Sequence, residues 1–73
     1  MERFFNKYIS KRNYLMNYSR LSGINKAQLR TWREKKVAPS TSLLICLVQA
    51  VATHQNLSFK DLMMEAIDEV LEL

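Results

Sequence analysis

The chain has 73 residues, of which 48% are hydrophobic and 25% are charged, with a formal net charge of +4. This hydrophobic fraction is too high for a disordered tail, and a chain of this length forms one small domain. Because Cys occurs once, we expect no disulfide, no cysteine-based metal site and a reducing compartment. The apolar runs are too short for a membrane-spanning helix or a signal peptide. We therefore expect a cytoplasmic protein without a membrane partner.

The charges are divided unevenly along the sequence. Residues 1–36 carry ten Lys or Arg and two acidic residues, whereas residues 37–73 carry one Lys and five acidic residues. The net charges of the two halves are therefore +8 and −4. A surface that served only to keep the protein in solution would mix the two signs, so the basic half predicts a polyanionic partner.

The scarcity of Gly and Pro and the apolar periodicity predict five helices and no strand. The first helix is expected at about Glu2–Ser10. The second is expected at about Tyr14–Ser22, with Asn13 as its N-cap and with Gly23 as the left-handed residue that ends it. The inner side of the second helix is expected to include Leu15, Tyr18 and either Leu21 or Ser22.

The third helix is predicted from Lys26 to about Lys35, before the helix-breaking Pro39. Asn25 is its expected N-cap. Leu29 and Trp32 lie three residues apart, on one face, and are expected to point inward.

The fourth helix is predicted at about Thr41–Thr53, capped by Ser40. It is apolar nearly all round and should be the most buried helix, with Cys46 as a small core residue. The fifth helix is predicted at about Phe59–Leu71, capped by Ser58. Its apolar stripe comprises Phe59, Leu62, Met63, Ala66, Ile67, Val70 and Leu71. The acidic residues expected to face away from this stripe are Asp61, Glu65, Asp68, Glu69 and Glu72.

The three residues Gly23-Ile24-Asn25 separate the second and third helices. This is the spacing of a helix-turn-helix, in which the second helix enters the DNA major groove. Arg pairs with guanine, and Ala or Thr contacts the thymine methyl group. The candidate base-reading residues are Lys26, Ala27, Gln28, Arg30 and Thr31. The candidate phosphate-binding residues are Asn25, Arg33, Lys35 and Lys36.

Residues 14–62 resemble the helix-turn-helix family of phage repressors and Cro proteins. The matching features are Gly23-Ile24 at the turn, Leu29 and Trp32 as inward anchors, and Pro39-Ser40 before the next helix. The resemblance implies a lambda-repressor-like fold, that is, an all-α, compact five-helix bundle. It further implies a regulator of a phage or mobile element. It also implies base-reading positions at Lys26, Ala27, Arg30 and Thr31.

Residues 1–73 are thus expected to form a single DNA-binding domain, in which residues 58–73 form a C-terminal helix that either caps the core or pairs two subunits. The expected function is sequence-specific transcriptional regulation by a homodimeric repressor on double-stranded DNA. The residues expected at the dimer interface are Phe59, Met63, Ile67 and Val70.

Two other functions fit the sequence. One is an antitoxin with DNA-binding and toxin-binding parts, and the other is an adaptor that binds an acidic protein surface without binding DNA. We expect no cofactor, no metal site and no enzymatic activity, because neither a Ser/His/Asp arrangement nor a metal-ligand cluster is recognisable.

Overall fold

The computed structural model describes residues 1–10, 14–35, 37 and 39–72. This part of the chain is all-α, as predicted, with five helices and no strand. The bounds of the second and fifth helices agree with the prediction, the first and third are shorter, and the fourth is two residues longer. The helices are α1 (Glu2–Tyr8), α2 (Tyr14–Ser22), α3 (Lys26–Glu34), α4 (Thr41–Gln55) and α5 (Phe59–Leu71).

Short-range backbone chemistry sets most of these helix ends. Gly23 has a φ of +75°, the left-handed conformation that ends α2 as predicted. The side chain of Asn25 accepts a hydrogen bond at 2.7 Å from the backbone N–H two residues on, and Ser58 accepts one at 3.4 Å from the N–H three residues on. Ser40 precedes α4, but its side chain makes no capping hydrogen bond. Asn56, also left-handed, ends α4. The predicted N-cap of α2 at residue 13 lies outside the described residues.

One hydrophobic core joins the helices. α4 packs against α2 and α5, α1 packs against α3 and α5, and α2 packs against α3. Complete burial of a large apolar side chain contributes about 1.5–3 kcal/mol, which makes the innermost residues the main source of stability in so small a domain. The largest fully buried side chains are Tyr18, Phe5, Leu29, Leu47, Val48 and Val51.

A polar network lies beside this core and connects α1, α2 and α4. The amide of Gln55 donates to the Tyr18 hydroxyl at 2.8 Å and to the carbonyl of Tyr8 at 2.6 Å. The Tyr18 hydroxyl lies 2.9 Å from Nδ1 of His54. The donor and acceptor roles in the bond between Tyr18 and His54 depend on the tautomer of the His54 ring. Burial raises the pKa of Tyr18 and keeps this hydroxyl protonated.

The predictions of all-round burial for α4 and of a core position for Cys46 are wrong. Only the side of α4 that meets α2 and α5 is buried, and Cys46 is exposed on the opposite side. Leu21 of α2 is likewise 58% exposed, and Ser22 occupies the more inward position. An uninterrupted apolar sequence does not indicate which side of a helix faces the core, because it has no periodicity.

The acidic side of α5 also differs from the prediction. Glu69 was expected to face solvent, but it is buried with 8% of its surface exposed. Its carboxylate accepts hydrogen bonds from backbone N–H groups at the start of α1, which have no partner within their own helix. α5 therefore uses a carboxylate as well as apolar side chains to hold α1.

The apolar stripe of α5 divides into inner and outer parts. Leu62 and Ala66 are buried, and Met63 and Val70 are half-buried. The outer part comprises Phe59 (39% exposed), Ile67 (42%) and Leu71 (79%), and Met64, which is not part of the predicted stripe, is 56% exposed. Among the described residues, no helix has both the length and the apolar character required to cross a membrane.

Candidate nucleic-acid interface

α3 is held on the domain by three buried apolar side chains. Leu29 is completely buried, and Ile24 and Trp32 are each 3% exposed. They pack in a core shared with α1 and α2, the two helices that α3 contacts. The inward anchors predicted from their spacing are confirmed, and the opposite side of α3 is left to solvent.

Hydrogen bonds fix the turn between α2 and α3. The Gly23 amide donates to the carbonyl of Ser19 at 3.0 Å, and the Ser19 hydroxyl donates to the carbonyl of Ile24. The Ser22 hydroxyl also donates to the carbonyl of Tyr18. The Gly23 amide satisfies a carbonyl that α2 leaves free at its C-terminal end, and the bond from Ser19 to Ile24 ties the turn to α2. The spacing of residues alone did not reveal the part played by the Ser19 side chain.

The side of α3 opposite its anchors carries the candidate base-reading residues. Lys26, Ala27, Gln28 and Arg30 are exposed. Thr31 is half-buried, and its hydroxyl donates to the carbonyl of Ala27 at 3.0 Å. This bond uses the hydroxyl hydrogen of Thr31, so its side chain can offer a base the methyl group and an acceptor oxygen.

The candidate phosphate-binding residues are not equivalent. Asn25 uses its side-chain oxygen to cap α3 and retains its amide N–H groups. Arg33 is half-buried and pairs with Glu34 at 2.8 Å, whereas Lys35 is exposed. Lys36 lies outside the described residues. Exposed pairs such as Arg33–Glu34 contribute little to stability, so this Arg can exchange its carboxylate for a phosphate.

Ion pairs neutralise the basic residues of α1. Arg3 contacts Glu72, and Lys7 lies 3.2 Å from the carboxylate of Glu65, which also accepts a hydrogen bond at 2.6 Å from Tyr8. The hydrogen bond from Tyr8, followed by that from Lys7, holds the pKa of Glu65 below its ordinary value. The positive charge of α1 is thus balanced by α5.

The basic residues of α2 and α3 have fewer acidic partners than those of α1. Within the described part of the chain, no ion pair forms at Arg20, Lys26, Arg30 or Lys35. Among the described residues, positive charge without an ion pair therefore lies on both helices that flank the Gly23 turn, at Arg20, Lys26 and Arg30. Arg20 is exposed and was not among the candidate site residues; its position three residues before the turn is the signal that sequence reasoning passed over.

Comparison of the chain with models of known protein families, with curated proteins and with solved structures finds no match. The described residues contain no group of three or more His, Cys, Asp or Glu that could hold a metal ion.

Proposed function

We propose that this chain is a sequence-specific, DNA-binding transcriptional regulator that reads the major groove of double-stranded DNA with residues 26–35. One observation carries the proposal. α3 is anchored by Leu29 and Trp32 on one side, and on the other it exposes Lys26 and Arg30, which have no ion pair among the described residues. A rigid helix that presents unpaired cations and small side chains suits the width and chemistry of that groove.

The exposed side chains divide between two tasks. Arg30 has the fork of donors that pairs with the O6 and N7 atoms of guanine, and Ala27 and the methyl group of Thr31 suit a thymine methyl. Lys26, a candidate base-reading residue, also lies in the first turn of α3, where its ammonium group and the positive end of the helix dipole favour a phosphate. Lys35 follows the helix as a further phosphate ligand.

The resemblance to phage repressors and Cro proteins supports a homodimeric repressor that acts in the cytoplasm on a two-fold related operator. Its half-sites would lie about one helical turn, roughly 34–36 Å, apart. Of the α5 residues expected at the dimer interface, Phe59 and Ile67 are exposed and available to a partner. Met63 and Val70 are half-buried against the subunit's own core.

Selection of bound duplexes from a random DNA pool, followed by fluorescence anisotropy at several salt concentrations, tests the proposal. We expect one recovered motif that binds about 10³-fold or more tighter than a scrambled duplex. Weak binding that is equal on all sequences would contradict base reading by α3. The absence of binding even at low salt would favour the protein adaptor, and a toxin that copurifies with the chain would favour the antitoxin.

A further inference from the structure

α4 lies in a long stretch of the chain without strong charges. Residues 37–59 contain no Asp, Glu, Lys or Arg, although these types make up 25% of the sequence. The solvent side of α4 consequently exposes uncharged side chains, among them Ile45, Cys46, Gln49 and Thr53. Each of the other four helices exposes charged residues.

Two grooves extend this surface on either side of α4. One, of about 480 Å³, lies between α2 and α4 and is bordered by Leu21, which is 58% exposed. The other, of about 410 Å³, lies towards the start of α5 and is bordered by Leu57 and Phe59, which are 43% and 39% exposed. Gln49 and Thr53 line both grooves, so the surface is continuous. We name it the α4 face, comprising Leu21, Ile45, Cys46, Gln49, Thr53, Leu57 and Phe59. His54 also borders the groove between α2 and α4, where its Nδ1 lies 2.9 Å from the Tyr18 hydroxyl.

We propose that the α4 face is the surface through which two copies of this chain pair. The inference rests on the proposed function in one respect, because the need for a pair of subunits comes from a two-fold related operator. In a two-fold dimer the same surface patch is used on both subunits, so a charged residue near the axis is placed opposite its own copy. For a chain with a net charge of +4, an uncharged face avoids this repulsion.

The outer part of α5 is the competing surface, and its charges disfavour it. Met64, Ile67 and Leu71 form an exposed apolar ridge, but Asp61 and Asp68 are exposed on the same helix. Pairing of two α5 ridges would bring these two carboxylates, which outnumber the exposed Lys60 on the same side, towards their copies. Like charges brought together at an interface oppose association. The α4 face contains no such group.

The position of α4 in the fold is compatible with DNA binding by α3. α4 packs against α2 and α5, whereas α3 packs against α1 and α2. The α4 face contains no residue of α3. A stable interface buries about 800 Å² on each partner, which is roughly one sixth of the 4842 Å² of accessible surface that a subunit offers.

A matched pair of variants separates the two surfaces. Gln49→Glu places a carboxylate on the α4 face, and Met64→Glu places one on the α5 ridge. Both positions are exposed, and Glu is as good a helix former as the residues it replaces. We expect sedimentation equilibrium to show a dimer whose dissociation constant rises about tenfold or more with Gln49→Glu and stays unchanged with Met64→Glu. A dissociation constant that rises more with Met64→Glu than with Gln49→Glu, or equally with both, would overturn the proposal. A wild-type chain that remains monomeric would also overturn it.

The single thiol of Cys46 gives a second measurement that needs no variant. Because Cys46 lies within the α4 face, its rate of reaction with a maleimide should fall as the protein concentration rises through the dimerisation range. A rate independent of concentration while sedimentation shows a dimer would place the interface elsewhere. Binding to a DNA half-site is measured separately. If Gln49→Glu dissociates the dimer but neither protein binds any half-site, the pairing surface stands and the proposed DNA-binding function fails.

Discussion

Glu69 of α5 caps the helix that contains Phe4, 65 residues earlier in the chain: its Oε1 accepts a hydrogen bond from the Phe4 amide at 2.9 Å. Its other oxygen accepts from the amide of Arg3 at 2.7 Å. α1 has only seven residues and no side-chain cap of its own. The carboxylate therefore satisfies donors that α1 leaves free and fixes α1 on α5.

Removal of this acceptor should destabilise the fold. Glu69→Ala leaves buried N–H groups without a partner, so we expect the free energy of unfolding to fall by about 1–3 kcal/mol. Glu69→Gln retains one acceptor oxygen and should cost less. Urea denaturation followed by circular dichroism measures the free energy of unfolding of both variants. Asp68 is an exposed neighbour, so the control Asp68→Asn should change stability by less than about 0.5 kcal/mol. An Ala variant as stable as the wild type would contradict the capping role.

The carboxylate of Glu65 should make stability dependent on pH. Hydrogen bonds from Tyr8 and Lys7 lower its pKa in the folded protein below the ordinary value of 4.5. The contribution of the Glu65 carboxylate to the stability of the fold is therefore complete above pH 4.5, and it is lost as the pH falls through the lowered pKa. We expect Glu65→Gln to weaken the decrease in the urea midpoint below pH 4.5. Asp68→Asn is the control, because Asp68 has no hydrogen bond or ion pair among the described residues. Its pH profile should match that of the wild type. Identical profiles for wild type and Glu65→Gln would rule this contribution out.

The loss of stability on substitution of Gly23 should result from backbone strain and not from steric crowding. A Cβ atom added there would meet nothing within 4 Å, but the φ of +75° is one that side chains rarely adopt. We expect Gly23→Val to lower stability by about 1–3 kcal/mol. Gly23→Asn should cost less, because Asn tolerates this conformation. Thermal unfolding compares the two at one site, and equal melting temperatures would argue against strain as the cause.

Two cations of the candidate interface should affect DNA binding differently. Arg30→Ala should cost about 1–3 kcal/mol on the preferred duplex and relax the choice at one base pair, because it removes a base contact. Lys35→Ala should weaken binding alike on all duplexes and reduce the salt slope by about one, because it removes a phosphate contact. Anisotropy titrations on specific and scrambled duplexes distinguish them. A uniform loss for Arg30→Ala would remove it from the base-reading residues.

Features of the structure that depend on neighbouring residues in the sequence could be predicted. The anchors Leu29 and Trp32 follow from a spacing of three residues, and the turn follows from the conformational freedom of Gly23. The capping role of Glu69 was missed because it depends on where α1 docks, which no local pattern encodes. The exposure of Cys46 was missed because the apolar residues of α4 run on without a period that marks an inner side.

The contact between Phe4 and Glu69 also has a consequence for the order in which the domain is completed. Joining residues so far apart closes a long loop of chain, and the entropic cost of that closure favours the formation of local contacts first. During synthesis α1 leaves the ribosome long before its acceptor in α5 exists. α1 contacts α3, so a partial chain that ends before α5 leaves the support of α3 incomplete. Fragments from interrupted translation are therefore expected to hold α3 less firmly than the finished chain does.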